Sequence, residues 1–339
     1  MDERSLKKTD KMNNYHSKVL ITGISGFIGK ALYVKLSEIY NILGIASDEI
    51  YRNQNIILDF SDITDDEKIS KFVSIHKPDI IIHCAGIAHQ KIGRIDSEIY
   101  FCVNSYATEN LAKAAARANP NVYFLFLSSI SVYGEDNVTG FVSENGICEP
   151  SSDYAKSKLD AEKRLIKLFD EGLLKKLDIL RLAPVYDSEW SLNLDRRVFA
   201  LKKVAYLKFG SGMQEMSAIA RQNLVDFIGF RLAQETNRVA DQSFCNIFNV
   251  CDTKSYKFKE IIKIFKQSDC QPSRITLRVP LALVFFATRL AGLIFRSKQQ
   301  WFYSCFDKLA CSLVFDNTKM LDTGFTPKYR LKSVFLKSK

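Results

Sequence analysis

Short apolar runs alternate with amphipathic stretches through the first half of the chain. Lys18–Thr22 (KVLIT) predicts a buried strand. Gly29–Tyr40 predicts a helix with Ala31, Leu32, Val34, Leu36 and Ile39 on its apolar face. Asn41–Ala46 and Ile56–Leu58 predict two more strands, Asp65–His76 a helix stopped by Pro78, and Asp79–Cys84 a strand. A long helix over Ile99–Asn119 follows, then a strand at Val122–Ser128, a helix at Asp153–Phe169 and a strand at Leu177–Leu182. Strands separated by helices imply a parallel sheet covered on both faces. With right-handed crossovers that makes a doubly wound α/β fold. After about residue 185 the alternation gives way to irregular stretches and short helices. They predict a smaller C-terminal lobe that holds a substrate.

The first strand runs directly into TGISGFIG, which opens the first helix. Gly23 allows the tight turn, Gly26 lets a pyrophosphate approach the backbone, and Gly29 lets helix and strand pack closely. The helix N-terminus adds N–H donors and a favourable field for phosphate. The expected organisation is a flexible tail over 1–17, a dinucleotide-binding Rossmann domain over 18–186 that also carries the catalytic residues, and a mainly substrate-binding lobe over 187–339. The chain is free to cross between lobes. An acid that holds the adenosine ribose belongs near the end of the second strand, where this chain reads GIASDEIYR. Asp48 lies one or two residues late and favours NAD if it reaches the ribose, whereas Ser47 with Arg52 suits the 2′-phosphate of NADP. Asp59, after the third strand, is a candidate for adenine recognition or a turn cap.

Tyr154 and Lys158 form Y-x-x-x-K in DYAKSKLDAEK, one helical turn apart. A phenol is a poor base at neutral pH, but a neighbouring ammonium favours the phenolate. Such a pair can move a proton to or from an alcohol. Ser129, just past a predicted parallel strand in FLFLSSISVYG, is placed to hydrogen-bond the reacting oxygen, with Ser128 beside it. Asn104 on the long helix suits a proton relay or simple solvent exposure.

TGISGFIG, LDFSD, HCAG, Asn104, SSISVYG and YAKSK, in that order, resemble the extended short-chain dehydrogenase/reductase family, and more closely its NAD-dependent epimerase/dehydratase branch. The resemblance covers residues 18–186. It continues more loosely in ARQNLVDFIGFRLA and VFDNTKMLDTGFTPKYRLKSV. It implies hydride transfer on a nucleotide-diphosphate sugar, with Ser129, Tyr154 and Lys158 as the catalytic triad and Asn104 assisting. It also implies that Gly23, Ser25, Gly26, Phe27, Ile28 and Gly29 line the pyrophosphate. Asp48, Asp59, Phe60, Ala85, Gly86 and Ser128 would lie elsewhere along NAD or NADP, of which NAD is the expected cofactor, and Lys158 would hold the nicotinamide ribose. Dehydratases of the branch carry an Asp-Glu pair before VYG, where this chain has Ile130 and Ser131. The remaining readings are a UDP-hexose or UDP-N-acetylhexosamine 4-epimerase, which is expected, and a 4-keto reductase. The pattern is similar to bacterial members that serve surface polysaccharide synthesis. Met216 stands where the branch has an arginine that clamps the diphosphate, so Arg196, Arg197 and Arg221 are candidate substitutes, and Asp187 replaces a usual glycine. A non-catalytic dinucleotide-binding protein on the same fold is the other class to test.

Composition narrows the setting. The 339 residues are 47% hydrophobic and 25% charged, which excludes a disordered or collagen-like chain. The net charge is +10, yet Lys and Arg are dispersed and match no nucleic-acid motif, so no nucleic-acid partner is expected. Eight cysteines without a C-x-x-C pair, and four histidines, suit reduced, mostly buried thiols in the cytoplasm and no metal site. The N-terminus has no apolar stretch of a secretory signal. Val279–Phe295 approaches membrane-spanning length but is interrupted by Arg289. It suits a buried or half-buried helix, which is expected, or a weak membrane-surface contact helped by the basic balance. The family resemblance implies a homodimer.

Overall fold

The computed structural model describes residues 17–47, 57–88, 96–134, 140–236 and 242–336. Among these, seven strands form the largest sheet. They are β1 (Lys18–Thr22), β2 (Asn41–Ala46), β3 (Ile57–Phe60), β4 (Ile80–His83), β5 (Tyr123–Ser129), β6 (Lys176–Leu182) and β7 (Phe244–Val250). Their order is β7-β6-β5-β4-β1-β2-β3. The pairings β1–β2, β1–β4, β2–β3 and β4–β5 are parallel, so the expected doubly wound α/β architecture is present. Strands β1 and β4 are almost wholly buried, as sheet strands covered on both faces must be.

The helices depart from the expected pattern in informative places. Helix α1 (Phe27–Leu36) begins at the glycine turn and ends before Ile39. Leu32 and Leu36, one turn apart, are buried, whereas Val34 and Ile39 are exposed and do not belong to its apolar face. Helix α2 (Asp66–His76) is capped by Asp65, whose carboxylate accepts the Lys68 N–H at 3.2 Å. It ends at Lys77 in a left-handed conformation before Pro78. The single long helix expected over Ile99–Asn119 is instead a short helix at Ser97–Phe101, a π turn at Cys102–Tyr106 and α3 (Ala107–Ala118). Helix α4 (Asp153–Asp170) runs as one element.

Two compact units are distinguished. The first comprises Met1–Ser128, Lys156–Leu180 and Arg231–Ile247, and the second Ser129–Ala155, Arg181–Phe230 and Phe248–Lys339. The first unit has a core that includes Leu20, Leu43, Ile81, Leu111, Phe124 and Leu165. Its polar centre is Asp178 on β6, fully buried. The carboxylate accepts from Tyr123 Oη at 2.6 Å, from Arg231 Nε at 2.7 Å and Nη2 at 3.2 Å, and from Asn246 Nδ2 at 3.0 Å. One buried anion thus ties β5, β6, β7 and the end of α5 (Arg221–Thr236) together, and its charge is matched by a guanidinium only 4% exposed.

The second unit packs Tyr186, Tyr206, Met216, Phe258, Phe265 and Phe335 into its core. Here Asp252 is the buried anion. It accepts from Ala220 N at 3.1 Å, Asn223 Nδ2 at 2.7 Å, Tyr186 Oη at 2.8 Å and Tyr256 Oη at 2.7 Å. Burial raises its pKa in spite of these donors. Helix α6 (Phe258–Gln267) turns Ile261, Ile262 and Phe265 into this core. Helix α7 (Leu281–Ile294) lies in the segment expected to be buried or half-buried, but only Gly292 of it is buried. All eight cysteines are free thiols, and only Cys251 is buried. Most of them therefore occupy half-buried or exposed positions, not the core.

Replacing Arg231 by Met leaves the Asp178 charge buried without its guanidinium. We expect a loss of about 3–5 kcal/mol of unfolding free energy, measured by urea denaturation followed by circular dichroism.

Candidate functional site

The first unit holds the glycine turn. Gly23 has φ of 64°, in the left-handed region, and a Cβ there would stand 2.9 Å from the backbone of Ala85. A Cβ on Gly29 would stand 2.3 Å from Gly23 O and 2.7 Å from Ile24 Cα. The turn is pinned to the sheet by Gly23 N–H donating to Ile45 O at 2.8 Å. Gly26 caps α1 without a side-chain bond, and no acidic residue stands in the first turn. The helix start therefore brings backbone N–H groups and the positive end of the helix dipole to the turn, which suits a diphosphate. Ser25, Phe27 and Ile28 are half-buried around it, and Gly26 is exposed. The cradle fits the pyrophosphate of a dinucleotide.

Other expected cofactor positions are distributed as follows. Asp48 and Arg52 lie outside the described residues. Asp59 closes a short turn, with its carboxylate accepting from Ser61 Oγ at 2.6 Å. Phe60 ends β3. Ala85 N–H donates to Thr22 Oγ1 at 3.2 Å, which brings the chain after β4 against the end of β1.

Gly86, Asn104 and Lys158 are brought together in this same unit. A Cβ on Gly86 would lie 2.8 Å from Asn104 Oδ1 and 3.3 Å from Lys158 Nζ. Asn104 is fully buried inside the π turn. Its amide brackets the backbone of Ile87, accepting from N–H at 2.9 Å and donating to O at 3.0 Å, and it also donates to Ser157 Oγ at 3.0 Å. Asn104 thus fixes the loop after β4 instead of facing solvent. Lys158 is 6% exposed. Its ammonium donates to Leu127 O at 2.9 Å and lies 4.7 Å from the centre of the Phe126 ring. Burial pushes its pKa down to about 8, opposed by Cys84 and Glu162. Ser128 Oγ donates to the buried Glu162 carboxylate.

His83 completes the neutral wall beside Lys158. Thr108 Oγ1 donates to Asn104 O at 2.8 Å, so its proton is committed. His83 Nε2–H must then donate to Thr108 Oγ1 at 2.8 Å, and Nδ1 accepts from Thr22 Oγ1 at 2.7 Å. Burial, with the Lys158 charge nearby, pushes the imidazole down to about 3. Glu162, Ser157, Thr22 and Thr108 escaped the sequence reading. Only Glu162 had a signal, since Tyr154, Lys158 and Glu162 recur every four residues on one helix.

The second unit carries Ser129 and Tyr154. Ser129 ends β5 and caps a 3-10 turn at Ile130–Tyr133, accepting from Ser131 N at 3.2 Å and Ser131 Oγ at 2.9 Å. Tyr154 is half-buried in the first turn of α4, four positions before Lys158 on the same helix. The three candidate clamp arginines have different surroundings. Arg196 is exposed. Arg197 Nη1 donates to Lys308 O at 3.0 Å, and burial pushes its pKa down to about 10. Arg221 Nη2 lies 2.5 Å from the buried Asp187 carboxylate. The residue that replaces a usual glycine therefore pairs with a candidate clamp, while Met216 is buried in the core.

The profile of the NAD dependent epimerase/dehydratase family matches residues 19–234, and the chain belongs to that family, within the extended short-chain dehydrogenase/reductases that the sequence resembles. It is similar to the UDP-glucose 4-epimerase of Vibrio cholerae, 29% identical over 218 residues that cover 62% of this chain and 65% of that protein. It is also similar to the methionine adenosyltransferase 2 subunit beta of Xenopus laevis, 24% identical over 68% of this chain and 66% of that protein. The matched region thus spans just under two-thirds of the length of these relatives. Among solved structures, the UDP-glucuronic acid 4-epimerase from Bacillus cereus in complex with NAD has a TM-score of 0.66 at 18% identity and covers 94% of this chain and 96% of that one. At that identity the likeness is one of fold.

His83 has a pKa of about 3 in the fold and 6.5 as its ordinary value, so the unfolded chain takes up the proton first as pH falls. Stability should therefore decline as pH drops through 6.5. Relative to His83→Gln, the native chain should lose about 2 kcal/mol by pH 5, measured by denaturant titration at each pH.

Proposed function

We propose that the protein is an NAD(P)-dependent nucleotide-sugar 4-epimerase acting on a UDP-hexose or UDP-N-acetylhexosamine. The observation that carries this reading is a buried Lys158 ammonium, held at Leu127 O one helical turn after Tyr154. The glycine cradle and the likeness to the Vibrio and Bacillus 4-epimerases support it. That the Bacillus structure holds NAD favours NAD over NADP. A nicotinamide, when bound, supplies reversible acceptance of hydride from the sugar C4. Tyr154 takes the proton of the 4-hydroxyl as that hydride leaves, and gives it back once the 4-keto sugar has presented its other face. Lys158 lowers the phenol pKa by its charge and holds the nicotinamide ribose. Ser129 donates to the oxygen at C4. Asn104 keeps the loop at Ile87 in place. Gly23, Ser25, Gly26, Phe27, Ile28 and Gly29 receive the pyrophosphate, and Asp59, Ala85, Gly86 and Ser128 lie along the rest of the dinucleotide. Exposed Arg196 is the clamp candidate with the fewest protein partners, since Arg197 and Arg221 are engaged with Lys308 O and Asp187.

Ile130 and Ser131 stand where a dehydratase would need an acid and a base, which favours a reaction that only moves hydride and proton. Reduction of a 4-keto sugar nucleotide with exchanging cofactor is the alternative. A third reading, a dinucleotide-binding subunit of another enzyme, is favoured by the Xenopus relative. We further propose a homodimer in the cytoplasm, serving surface polysaccharide synthesis. No helix among the described residues is long and apolar enough to cross a membrane.

Tyr154→Phe should lower interconversion of the UDP-sugar epimers by several orders of magnitude while NAD stays bound, followed by coupled assay and by mass spectrometry of the molecules released on denaturation. An active Phe variant would falsify Tyr154 as the base. With Lys158 near 8, the ammonium is present below that pH and lost above it. Turnover should thus fall on the alkaline side with a midpoint near 8. Lys158→Arg, charged throughout, should remove that limb while lowering the rate at every pH.

A further inference from the structure

Helix α7 and its partner α8 (Gln299–Ala310) form a hairpin whose inner face is closed. A Cβ on Gly292 would lie 3.0 Å from the Tyr303 ring, so α8 approaches the backbone of α7 directly. The Arg289 guanidinium stacks 3.7 Å from the centre of that ring, and Phe285 meets Phe306 edge to face at 5.4 Å. The charge that interrupts the apolar segment is therefore taken up inside the hairpin. The outer face is left bare. Leu283, Phe286, Leu290, Leu293 and Ile294 recur at helical spacing along one side, each 60–68% exposed, and Phe295 and Trp301 continue the patch at 55% and 51%.

The charged residues along the segment that carries this patch are cationic, with Asp269 and Asp307 at its two margins. Arg274, Arg278, Arg296 and Lys298 are exposed, and no aspartate or glutamate occurs between Cys270 and Phe306. Apolar and aromatic side chains on one helix side with cations at both ends match the boundary of an anionic bilayer, where the former enter the acyl region and the latter meet headgroups. Fourteen residues of helix are about 21 Å long, short of the ~30 Å hydrocarbon thickness.

We propose that the outer face of α7 seats the protein on an anionic lipid surface, with the helix lying in the plane of the membrane and Arg278, Arg296 and Lys298 on the headgroups. The seat is independent of the hydride chemistry proposed above. It places a water-soluble sugar reaction at a membrane surface.

The full chain is mixed with sucrose-loaded vesicles of phosphatidylcholine alone or with an equal part of phosphatidylglycerol. We expect it to sediment with the anionic vesicles and to be at least about tenfold weaker on the neutral ones. Arg296→Gln with Lys298→Gln should lower the partition coefficient by about 30-fold, and Leu290→Glu should abolish sedimentation. The altered side chains are exposed, so the thermal midpoint of each variant should match the native one and serve as the folding control. Brominated lipid should quench Trp301 in the native chain. The proposal is overturned if the native chain ignores anionic vesicles at low salt, or if it binds neutral vesicles equally well. Unchanged binding by Leu290→Glu overturns it too. A native chain that ignores vesicles but becomes monomeric on Leu290→Glu assigns the face to a second copy of this chain instead.

Discussion

A lysine ammonium kept almost out of water is the condition around which the first unit is arranged. Lys158 retains a usable charge because Leu127 O accepts from it, the Phe126 ring lies beside it and Glu162 stands one turn further along α4. Two of its neighbours, His83 and Cys84, are held uncharged chiefly by their surroundings. His83 has both ring nitrogens occupied by threonine hydroxyls, and burial pushes the Cys84 thiol up to about 12. A second cation there would drive the ammonium further toward its neutral form. The buried network that runs from Thr22 through His83 and Thr108 to Asn104 also links the end of β1, which opens the glycine turn, to the helix that holds the loop after β4. The glycine turn and the lysine pocket are thus joined by one hydrogen-bond chain within the first unit.

The second unit shows a different economy of charge. Asp252 gathers four donors from separate stretches of chain, including two tyrosines, and acts as a structural hub. Asp187 is likewise buried, accepts from the N–H groups of Glu189 and Trp190, and faces Arg221. Asp187, where the resembled pattern has a glycine, thus pairs with Arg221, and Met216, where it has an arginine, is buried in the core.

Much of the sheet was readable because its buried parallel strands are short, nearly uninterrupted apolar runs between polar turns, as in KVLIT, NILGIA and DIIIHC. The glycine triplet was readable for the same reason, since each glycine answers a steric demand that the backbone positions now display. Tyr154 and Lys158 were legible as a pair because helical spacing is local. What escaped was long-range or degenerate. Nothing local marks Asp178 as the partner of Arg231, or Asp187 as the partner of Arg221. Apolarity alone did not distinguish a helix packed on both sides from α7, which is packed on one. The interruption of the long helix at Cys102–Tyr106 was also invisible, because a π turn and an α turn take the same residues.

That π turn has a consequence for how the family sequence can drift. It accommodates one residue more than a regular helix of the same length would, so it works as a phase shifter of about 100° between Ser97–Phe101 and α3. Asn104 sits within this turn, with its amide on the backbone of Ile87. Loss of any one residue between Cys102 and Tyr106 would let the helix regularise, improve its own ladder and swing the asparagine off the loop. The length of this segment thus sets the direction in which the helix presents Asn104.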